Sequence, residues 1–416
     1  MEFRGMNRNL PSAGKRCGPM PGSGLRRLLC LLLCFALVPC VRAAADDRET
    51  AAAKRLKFKL TGLSGNTKGL HDGKQGTSVP VPAGAVITLK ASEPIGSLYI
   101  LWDAVPDEWT LTADGETLTC GTLGYRHEFV TLPRPAKTVK ISLSKSSSIR
   151  INEISAYSPG TPPANVQVWE PPADRADILV IPTHADDEFI YFGGILPYYA
   201  GELGLDVQVM YMINHQKTQR VRNHELLNGL WLAGVRRYPV VNNAKDLYMN
   251  SRKEAADTYE SRFLLAQVRE IRRCRPLVIV GHDVNGEYHN QVHIQNALCL
   301  QRAVELAADA SFDPSSAERY GTWDTPKLYL HLYGPKSERT VLDYSIPLEA
   351  FGGKTAFQMA KKAFACHKSQ KSLGYKIYGA GDSYDSRSFG LCRSLVGPDE
   401  DRNDLMEHIV PEDWRG

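Results

Sequence analysis

The chain has 416 residues, of which 43% are apolar and 23% are charged. This length allows two to three domains, and the composition excludes a disordered, collagenous or polytopic membrane protein. Lys and Arg number 50 and Asp and Glu 46. Residues 1–43 hold seven of the basic residues and one acid, which leaves 43 against 45, a net charge of −2. A near-neutral body offers no basic surface to a polyanion, so we expect no nucleic-acid partner.

The N-terminus has the pattern of a secretory signal peptide. Two arginines precede the apolar run LLCLLLCFALV at 28–38, and a proline separates it from the alanines at 43–45. A charged segment, a short apolar segment and a small-residue cleavage site are the parts of such a signal. We therefore expect residues 1–45 to be removed, with Met20 giving a start of more ordinary length. The mature protein would be secreted, periplasmic or on the cell surface, without an integral membrane segment.

Five of the nine cysteines lie beyond this signal, and none belongs to a C-x-x-C pair. An odd, scattered set argues against a disulfide framework and against a thiolate zinc site. We expect single buried thiols. The residues concerned are Cys120, Cys274, Cys299, Cys366 and Cys392.

Residues 57 to about 160 show the pattern of short β-strands. Apolar and polar residues alternate, and groups of Gly, Asn, Asp and Pro separate the alternating segments. Strands at this spacing without a helical run predict a β-sandwich or a barrel. The Pro-rich segment at 159–172 is typical of an interdomain linker, which predicts two independent cores.

From residue 173 the pattern changes to strands that alternate with helices. This alternation predicts an α/β fold, a Rossmann-like parallel sheet with helices on both faces. Such sheets bind ligands at the carboxyl ends of their strands. The predicted apolar strands are 176–183, 206–213, 238–241, 276–282 and 327–333.

The segment PTHADDE at 182–188 follows the first of these strands. Imidazole and carboxylate ligands suit Zn²⁺, and a catalytic zinc site uses three protein ligands and a water. His184 and Asp187 could bind one metal ion, and Asp186 could take a proton from the activated water. The alternative is a helix N-cap, which would use one of the acids but would not need the histidine.

A second cluster, GHDVNGEYHNQVHIQ at 281–295, follows another predicted strand. His289 and His293 are four residues apart, on one face if a helix begins early. Either could complete the metal site, and we favour His293. Asp283 ends the strand and could contact a substrate hydroxyl. A metal with a carboxylate base and without thiolates indicates a hydrolase, because the metal polarises a carbonyl and activates water.

These motifs resemble those of the PIG-L/LmbE-like zinc deacetylases. PTHADDE is similar to the family's [A/P]HPDDE signature, and NGEYHNQVH to its G-x-x-G-H-x-x-H signature. RNHELLNGLWLAGV at 222–235 resembles its R-x-x-E…LG segment, and KKAFACHKSQ at 361–370 its A…H-x-SQ segment. The resemblance covers about 173–390. It implies hydrolysis of the N-acetyl group of an amino sugar or glycan, with Zn²⁺ as cofactor.

The resemblance also implies roles for individual residues. His184, Asp187 and His293 would bind the zinc ion. Asp186 would be the general base. Arg222 would contact hydroxyl groups of the substrate, although a solvated helix charge is the alternative for this residue alone.

Two positions depart from the family signatures. Ala185 stands where the first signature has proline, which changes a turn constraint but no chemistry. Asn290 stands where the second signature has the histidine that stabilises the oxyanion. Asparagine can donate a hydrogen bond but no proton, and His289 could substitute if the loop is shifted. His367 is a further candidate for lining the substrate pocket.

The N-terminal part has a resemblance of its own. RINEISAYSPG at 150–160 resembles the last strand of discoidin-like, galactose-binding-like sandwiches, which often bind glycans. Candidate glycan contacts are Trp102, Trp109, Tyr125 and His127, with core packing as the alternative for the tryptophans.

The combined prediction is a secreted protein with a β-sandwich accessory module at 57–160 and a zinc-dependent N-deacetylase domain at 173–390. The alternative is a glycan-binding surface protein whose α/β domain is inactive.

Overall fold

The structure, a computed structural model, describes residues 51–414. The predicted signal peptide at 1–45 lies outside the described residues. All described residues belong to one compact unit. Of the helices in this part of the chain, none is both long and apolar enough to cross a membrane. The five cysteines within it are free thiols, three of them buried.

The N-terminal part is an antiparallel sheet of eight strands. Its order is β1-β8-β4-β7-β5-β6, with β2 beside β4 and β3 beside β8. The strands are β1 Arg55–Leu56, β2 Phe58–Thr61, β3 Val79–Val81, β4 Val86–Trp102, β5 Trp109–Ala113, β6 Glu116–Cys120, β7 His127–Ser142 and β8 Ile149–Tyr157.

Two long strands bend this sheet over a single apolar core. The first half of β4 pairs with β2 and its second half with β8, and its register with β7 shifts between Lys90 and Ser97. A strand that changes neighbours at an irregularity can belong to two layers. Buried side chains of seven of the strands, all but β2, meet in the core, including Leu89, Ile100 and Ile141, and partly buried residues of β2 pack against it. This agrees with the predicted all-β fold.

A seven-stranded sheet forms the centre of the C-terminal part, in the order β11-β10-β9-β12-β13-β17-β14. The first five strands in this order are parallel, and β17 and β14 extend them antiparallel. The strands are β9 Ile178–Val180, β10 Val207–Asn214, β11 Val240–Lys245, β12 Val278–Gly281, β13 Lys327–His331, β14 Thr340–Val341 and β17 Ser388–Ser394, with β15 Pro347–Leu348 and β16 Lys354–Thr355 as a separate pair.

Within residues 51–414, seven α-helices accompany the sheet. They are α1 Asp187–Ile190, α2 Arg222–Leu232, α3 Arg252–Cys274, α4 Gln291–Ala308, α5 Pro314–Tyr320, α6 Ala356–Phe364 and α7 Pro411–Trp414. A π-helical segment covers Leu196–Glu202, and 3₁₀ turns cover Lys68–Leu70, His215–Lys217, Glu287–His289, Lys336–Glu338, Glu349–Phe351 and Lys368–Leu373.

Helices cover both faces of this sheet. Successive side chains of a strand point to opposite faces. Ile178 and Val180 therefore pack with α1, α2 and α6. Leu179 packs on the other face with α3 and α4. The central strands β9 and β12 are apolar throughout because neither of their faces meets water.

The chain order reverses between β9 and β12. The strands that follow β9 in sequence, β10 and β11, lie on one side of it, whereas β12 and β13 lie on the other. Loops that leave adjacent parallel strands in opposite directions open a crevice at the carboxyl ends of those strands. Both polar clusters of the sequence, at 182–188 and 281–295, begin at this crevice.

The Pro-rich segment at 159–172 packs against both parts of the chain. Val166, Gln167 and Trp169 are 1%, 3% and 7% exposed. The Trp169 ring makes edge contacts with Trp231 and Tyr238 at 5.4 and 5.5 Å. The segment is therefore anchored in the fold by these three buried residues, whereas the division of the chain into independent folding units stays a prediction.

The four candidate glycan contacts of the sandwich are buried. Trp102 and Trp109 both donate their indole N–H to Glu128 at 2.9 Å. Tyr125 is 6% exposed, and His127 is fully buried. The proposal that these rings meet a glycan is therefore wrong. They pack inside the protein, because an indole or phenol ring has a large apolar area, and both indoles also find an acceptor for their N–H.

A pair of buried histidines joins the two parts of the chain. His127 Nε2 lies 2.8 Å from His224 Nδ1, and His127 Nδ1 lies 2.7 Å from Gln167 Oε1. Gln167 Oε1 also accepts the indole N–H of Trp169. His127 therefore carries its proton on Nδ1, accepts from His224 on Nε2, and both rings are neutral. Burial holds the pKa of His127 well below its usual value and lowers the pKa of His224 to about 3.

We expect this pair to make the fold sensitive to acid. As the pH falls below about 6.5, the unfolded chain takes up protons that the folded chain excludes, so the free energy of unfolding decreases. Each such histidine contributes roughly 1.4 kcal/mol per pH unit in this window. Urea denaturation at pH 7.5 and pH 5.5 measures the effect. In His224→Asn, which keeps a donor but cannot titrate, the decrease should be smaller; equal decreases in both proteins would contradict the assignment.

Candidate metal and catalytic site

An open cleft of about 610 Å³ lies at the carboxyl ends of β9 and β12. Its lining comes from the loop after β9, from residues 246–250, 287–293 and 370–375, and from Arg222. The predicted strand ends therefore do meet at one cavity, and its size is within the range of small-molecule sites.

Three predicted ligands come together in this cleft. Asp187 Oδ2 lies 3.4 Å from His184 Nδ1 and 3.3 Å from His293 Nε2. The two nitrogens are 3.1 Å apart. Tetrahedral zinc with bonds of about 2.0–2.2 Å separates its ligand atoms by about 3.3–3.5 Å. The spacing and the donor set of two imidazoles and one carboxylate therefore fit a zinc ion held by these three residues.

A buried carboxylate orients one of these histidines. Glu287 is fully buried and lies 2.8 Å from Nδ1 of both His282 and His293, and 2.7 Å from Nδ1 of His331. The backbone N–H of Thr183 donates to His282 Nε2, so the proton of His282 is on Nδ1. Glu287 thus accepts three imidazole N–H groups, and it turns Nε2 of His293 toward the cleft. A carboxylate behind a metal-binding histidine fixes its tautomer and orientation.

His282, Glu287 and His293 also lie close enough together to hold an ion. Their facing atoms already pair with one another, and His282 Nε2 accepts the backbone N–H of Thr183. Burial alone would raise the pKa of Glu287, but the histidines around it hold that pKa well below its usual value. This group is therefore satisfied as a hydrogen-bonded unit.

A second carboxylate lies behind the other histidine. Asp246 Oδ1 is 3.6 Å from His184 Nε2, and Asp246 Oδ2 is 3.4 Å from His215 Nδ1. Asp246 lines the cleft. The sequence patterns gave no role to Asp246 or to Glu287. The short spacing of Glu287 from His293 was visible in the sequence. No motif pointed to Asp246, which directly follows β11, the strand beside β10 at the edge of the sheet.

Asp186 lies beside the three ligands. Its backbone has φ 119°, and its side chain makes no helix-capping hydrogen bond. Its Oδ1 accepts from Arg222 Nη2 at 3.1 Å, and the same nitrogen donates to the carbonyl of Ala185. Burial raises the pKa of Asp186 to about 7, although Arg222 acts in the opposite direction. The Asp186 side chain therefore does not act as an N-cap. It is not one of the three metal ligands, and it is available to accept a proton.

The remaining predicted substrate contacts divide into two groups. Arg222 is 7% exposed, lines the cleft, and its Nε has no hydrogen-bond partner among the described residues. His367 is fully buried and bonds Glu188 at 2.8 Å. Asp283 accepts from the backbone and side chain of Asn285. The structure thus brings Arg222 to the cleft but not His367 or Asp283, whose side chains hold neighbouring loops.

His289 and Asn290 line the cleft, but no hydrogen bond between described residues joins their side chains to the three ligand atoms. Asn290 Oδ1 caps α4, accepting from the N–H groups of Val292 and His293 at 2.9 and 3.3 Å. His289 is exposed, with φ 55°. Because the helix begins only at Gln291, the expected helical face shared by His289 and His293 does not form.

We expect His293→Ala to lose bound zinc, whereas His289→Ala should retain it. His293 Nε2 is one of the three converging donor atoms, and the His289 ring lies outside them. Metal content of the purified variants, measured by mass spectrometry, checks this. Zinc retained by His293→Ala and lost by His289→Ala would reverse the assignment.

No protein-family model matches the chain. A curated relative, the 1D-myo-inositol 2-acetamido-2-deoxy-alpha-D-glucopyranoside deacetylase 1 of Catenulispora acidiphila, is 28% identical over 210 residues, which are 42% of this chain and 61% of that protein. The 1D-myo-inositol 2-acetamido-2-deoxy-alpha-D-glucopyranoside deacetylase of Rhodococcus erythropolis is 30% identical over 192 residues, which are 38% of this chain and 61% of that protein. The chain thus spans 61% of the length of each.

Among solved structures, the N,N'-diacetylchitobiose deacetylase of Pyrococcus horikoshii is similar at a TM-score of 0.34 and 19% identity, over 47% of this chain and 71% of that chain.

Proposed function

We propose that the protein is a zinc-dependent hydrolase that removes the acetyl group from an N-acetylated amino sugar. The observation that carries the proposal is the convergence of His184, Asp187 and His293 at 3.1–3.4 Å beside the free carboxylate of Asp186. The curated relatives, by their names, deacetylate an acetamido sugar linked to inositol. We also propose that the α/β part is a Rossmann-like deacetylase domain.

Zinc held by these three residues would polarise the amide carbonyl and lower the pKa of a water molecule. Asp186 would accept the proton of the attacking water on Oδ2, because Oδ1 is held by Arg222. The water oxygen adds to the carbonyl carbon, the C–N bond breaks, and the proton passes to the leaving nitrogen. The products are acetate and a free amine.

Arg222 would serve both the base and the substrate. Its Nη2 holds Asp186 and the Ala185 carbonyl, which fixes the loop in its unusual backbone conformation. Its unpaired Nε faces a buried environment, where an unsatisfied donor is costly. A substrate hydroxyl would satisfy this N–H.

The cleft suits a sugar that is part of a larger molecule. Tyr248, Tyr288 and Tyr375 stand on its rim, with 86%, 46% and 39% of their surfaces exposed. Exposed aromatic rings beside a polar floor are suited to the apolar faces of pyranose rings. We therefore place the N-acetyl group at the floor and the rest of a glycan against the rim.

We further propose an extracytoplasmic location, on the signal-like pattern of residues 1–45. The sandwich would be a discoidin-like, galactose-binding-like module, with a glycan contact other than its buried aromatic residues. No observation favours the alternative of an inactive glycan-binding protein.

Metal analysis combined with an acetate-release screen tests the proposal. N-acetylglucosamine, N,N'-diacetylchitobiose, an N-acetylglucosaminyl inositol and insoluble chitin would serve as substrates. We expect one zinc per chain, acetate release from at least one substrate, loss of activity after chelation and recovery with zinc. A folded, zinc-loaded protein that releases no acetate from any of them would contradict the proposed reaction.

A further inference from the structure

The cleft needs a donor for the oxygen of the substrate carbonyl, which becomes negative as water adds to the carbon. Such a donor is effective when it is fixed in place before the reaction. Asn290 is committed to the helix end through Oδ1, and His289 stands exposed on the rim. Neither residue is buried: His289 is exposed, and Asn290, whose Nδ2 remains able to donate, is only partly buried.

Tyr191 is a buried candidate for this donor. It lies in the turn after α1 and is 2% exposed, yet it lines the cleft. No described residue forms a hydrogen bond with its hydroxyl. Among other buried tyrosines, Tyr199 donates to Asp404 and Tyr329 donates to Asp399. The hydroxyls of Tyr125 and Tyr211 also lack a partner among the described residues, but neither residue lines the cleft. A buried phenol usually finds a partner, so the free hydroxyl of Tyr191 is suited to a ligand in the cleft.

The ring of Tyr191 is fixed beside the metal ligands. It contacts the His293 ring edge-on at 5.6 Å and the His282 ring at 5.9 Å. Tyr378 stacks parallel to it at 6.4 Å, and Tyr384 meets it edge-on at 6.3 Å. Imidazole rings on one side and phenol rings on the other leave the side chain little freedom to turn.

The hydroxyl also stays protonated. A tyrosine hydroxyl ordinarily loses its proton only at about pH 10. At neutral pH it is therefore a hydrogen-bond donor, and no proton leaves it during the reaction.

We propose that Tyr191 donates a hydrogen bond to the carbonyl oxygen of the N-acetyl group as negative charge develops there. It would take the part that the family signature gives to the histidine at the position of Asn290. This inference rests on the proposed function and adds a catalytic residue to it.

Tyr191→Phe tests the hydroxyl alone, and Tyr384→Phe, in the same cluster but away from the cleft, is the matched control. We expect kcat to fall about 10²–10³-fold in Tyr191→Phe with little change in KM. Zinc content and melting temperature should equal those of the control. A phosphonamidate analogue of N-acetylglucosamine, whose phosphoryl oxygen mimics the oxyanion, should bind more weakly by the same factor in calorimetry.

Several outcomes would overturn the inference. A kcat within threefold of the wild type would do so, as would a loss of kcat that follows a loss of zinc. A large kcat loss in Tyr288→Phe or Asn290→Ala, without one in Tyr191→Phe, would place the donor on that residue. Failure of the proposed function is distinct, because the wild-type protein itself would then release no acetate.

Discussion

Asp186→Asn should lower kcat for deacetylation about 10²–10⁴-fold and leave the zinc in place. Asp186 is the carboxylate beside the ligand cluster that contributes no atom to it. An amide of the same shape cannot accept the proton of the attacking water, whereas His184, Asp187 and His293 keep their positions.

Asparagine is the substitution that isolates this effect. The residue has φ 119°, and a left-handed backbone is tolerated by Asn and Asp better than by other residues with a Cβ. Alanine would add backbone strain to the loss of the carboxylate. Zinc content, melting temperature and kcat measured on one preparation check the prediction. Turnover close to that of the wild type, or loss of the metal, would exclude Asp186 as the base.

Deletion of residues 51–160 should leave an α/β part that aggregates and has lost its activity, even on a small soluble substrate. The removed residues cover Tyr238, onto which Tyr125 stacks at 4.3 Å, and they supply the partner of His224. They also provide Asp103, which pairs with Arg220 at 2.9 Å next to the cleft. The deletion would expose a large apolar patch and leave buried polar groups without partners.

Size-exclusion chromatography, melting temperature and kcat/KM on N-acetylglucosamine would show this effect. Adding the separately expressed segment 51–160 provides a control, because a complementary surface should restore solubility and turnover together. A truncated protein that stays monomeric with unchanged kcat/KM would instead show the independent cores that the sequence pattern predicts.

The parallel strands β9, β10, β12 and β13 could be predicted because most of their residues are apolar. β9, β10, β12 and β13 are buried on both faces, so their residues carry a signal that depends on no partner. The predicted metal ligands benefited from the same signal, since a histidine or an acid that directly follows such a strand reaches the carboxyl edge of the sheet.

Other features depended on contacts that no local pattern contains. No local pattern shows that β4 continues from Val86 to Trp102, because its pairing with β7 shifts register between Lys90 and Ser97 without ending the strand. Trp102 and Trp109 look like exposed binding residues until Glu128, on a neighbouring strand, is found to satisfy both indoles. The anchoring of 159–172 likewise depends on α2, some 60 residues further along the chain.

Glu287 has a consequence for the protein before any metal arrives. It gathers hydrogen bonds from His282 at the end of β12, His293 in α4 and His331 in β13, and all three use Nδ1, which leaves Nε2 of His293 for the metal. The conformational entropy of His293 is therefore lost during folding and need not be lost again when the ion binds. The apoprotein should already present this ligand in its final rotamer. Metal uptake is then a local exchange of water for protein atoms, in contrast to the zinc-finger class, in which the metal itself drives the chain to fold.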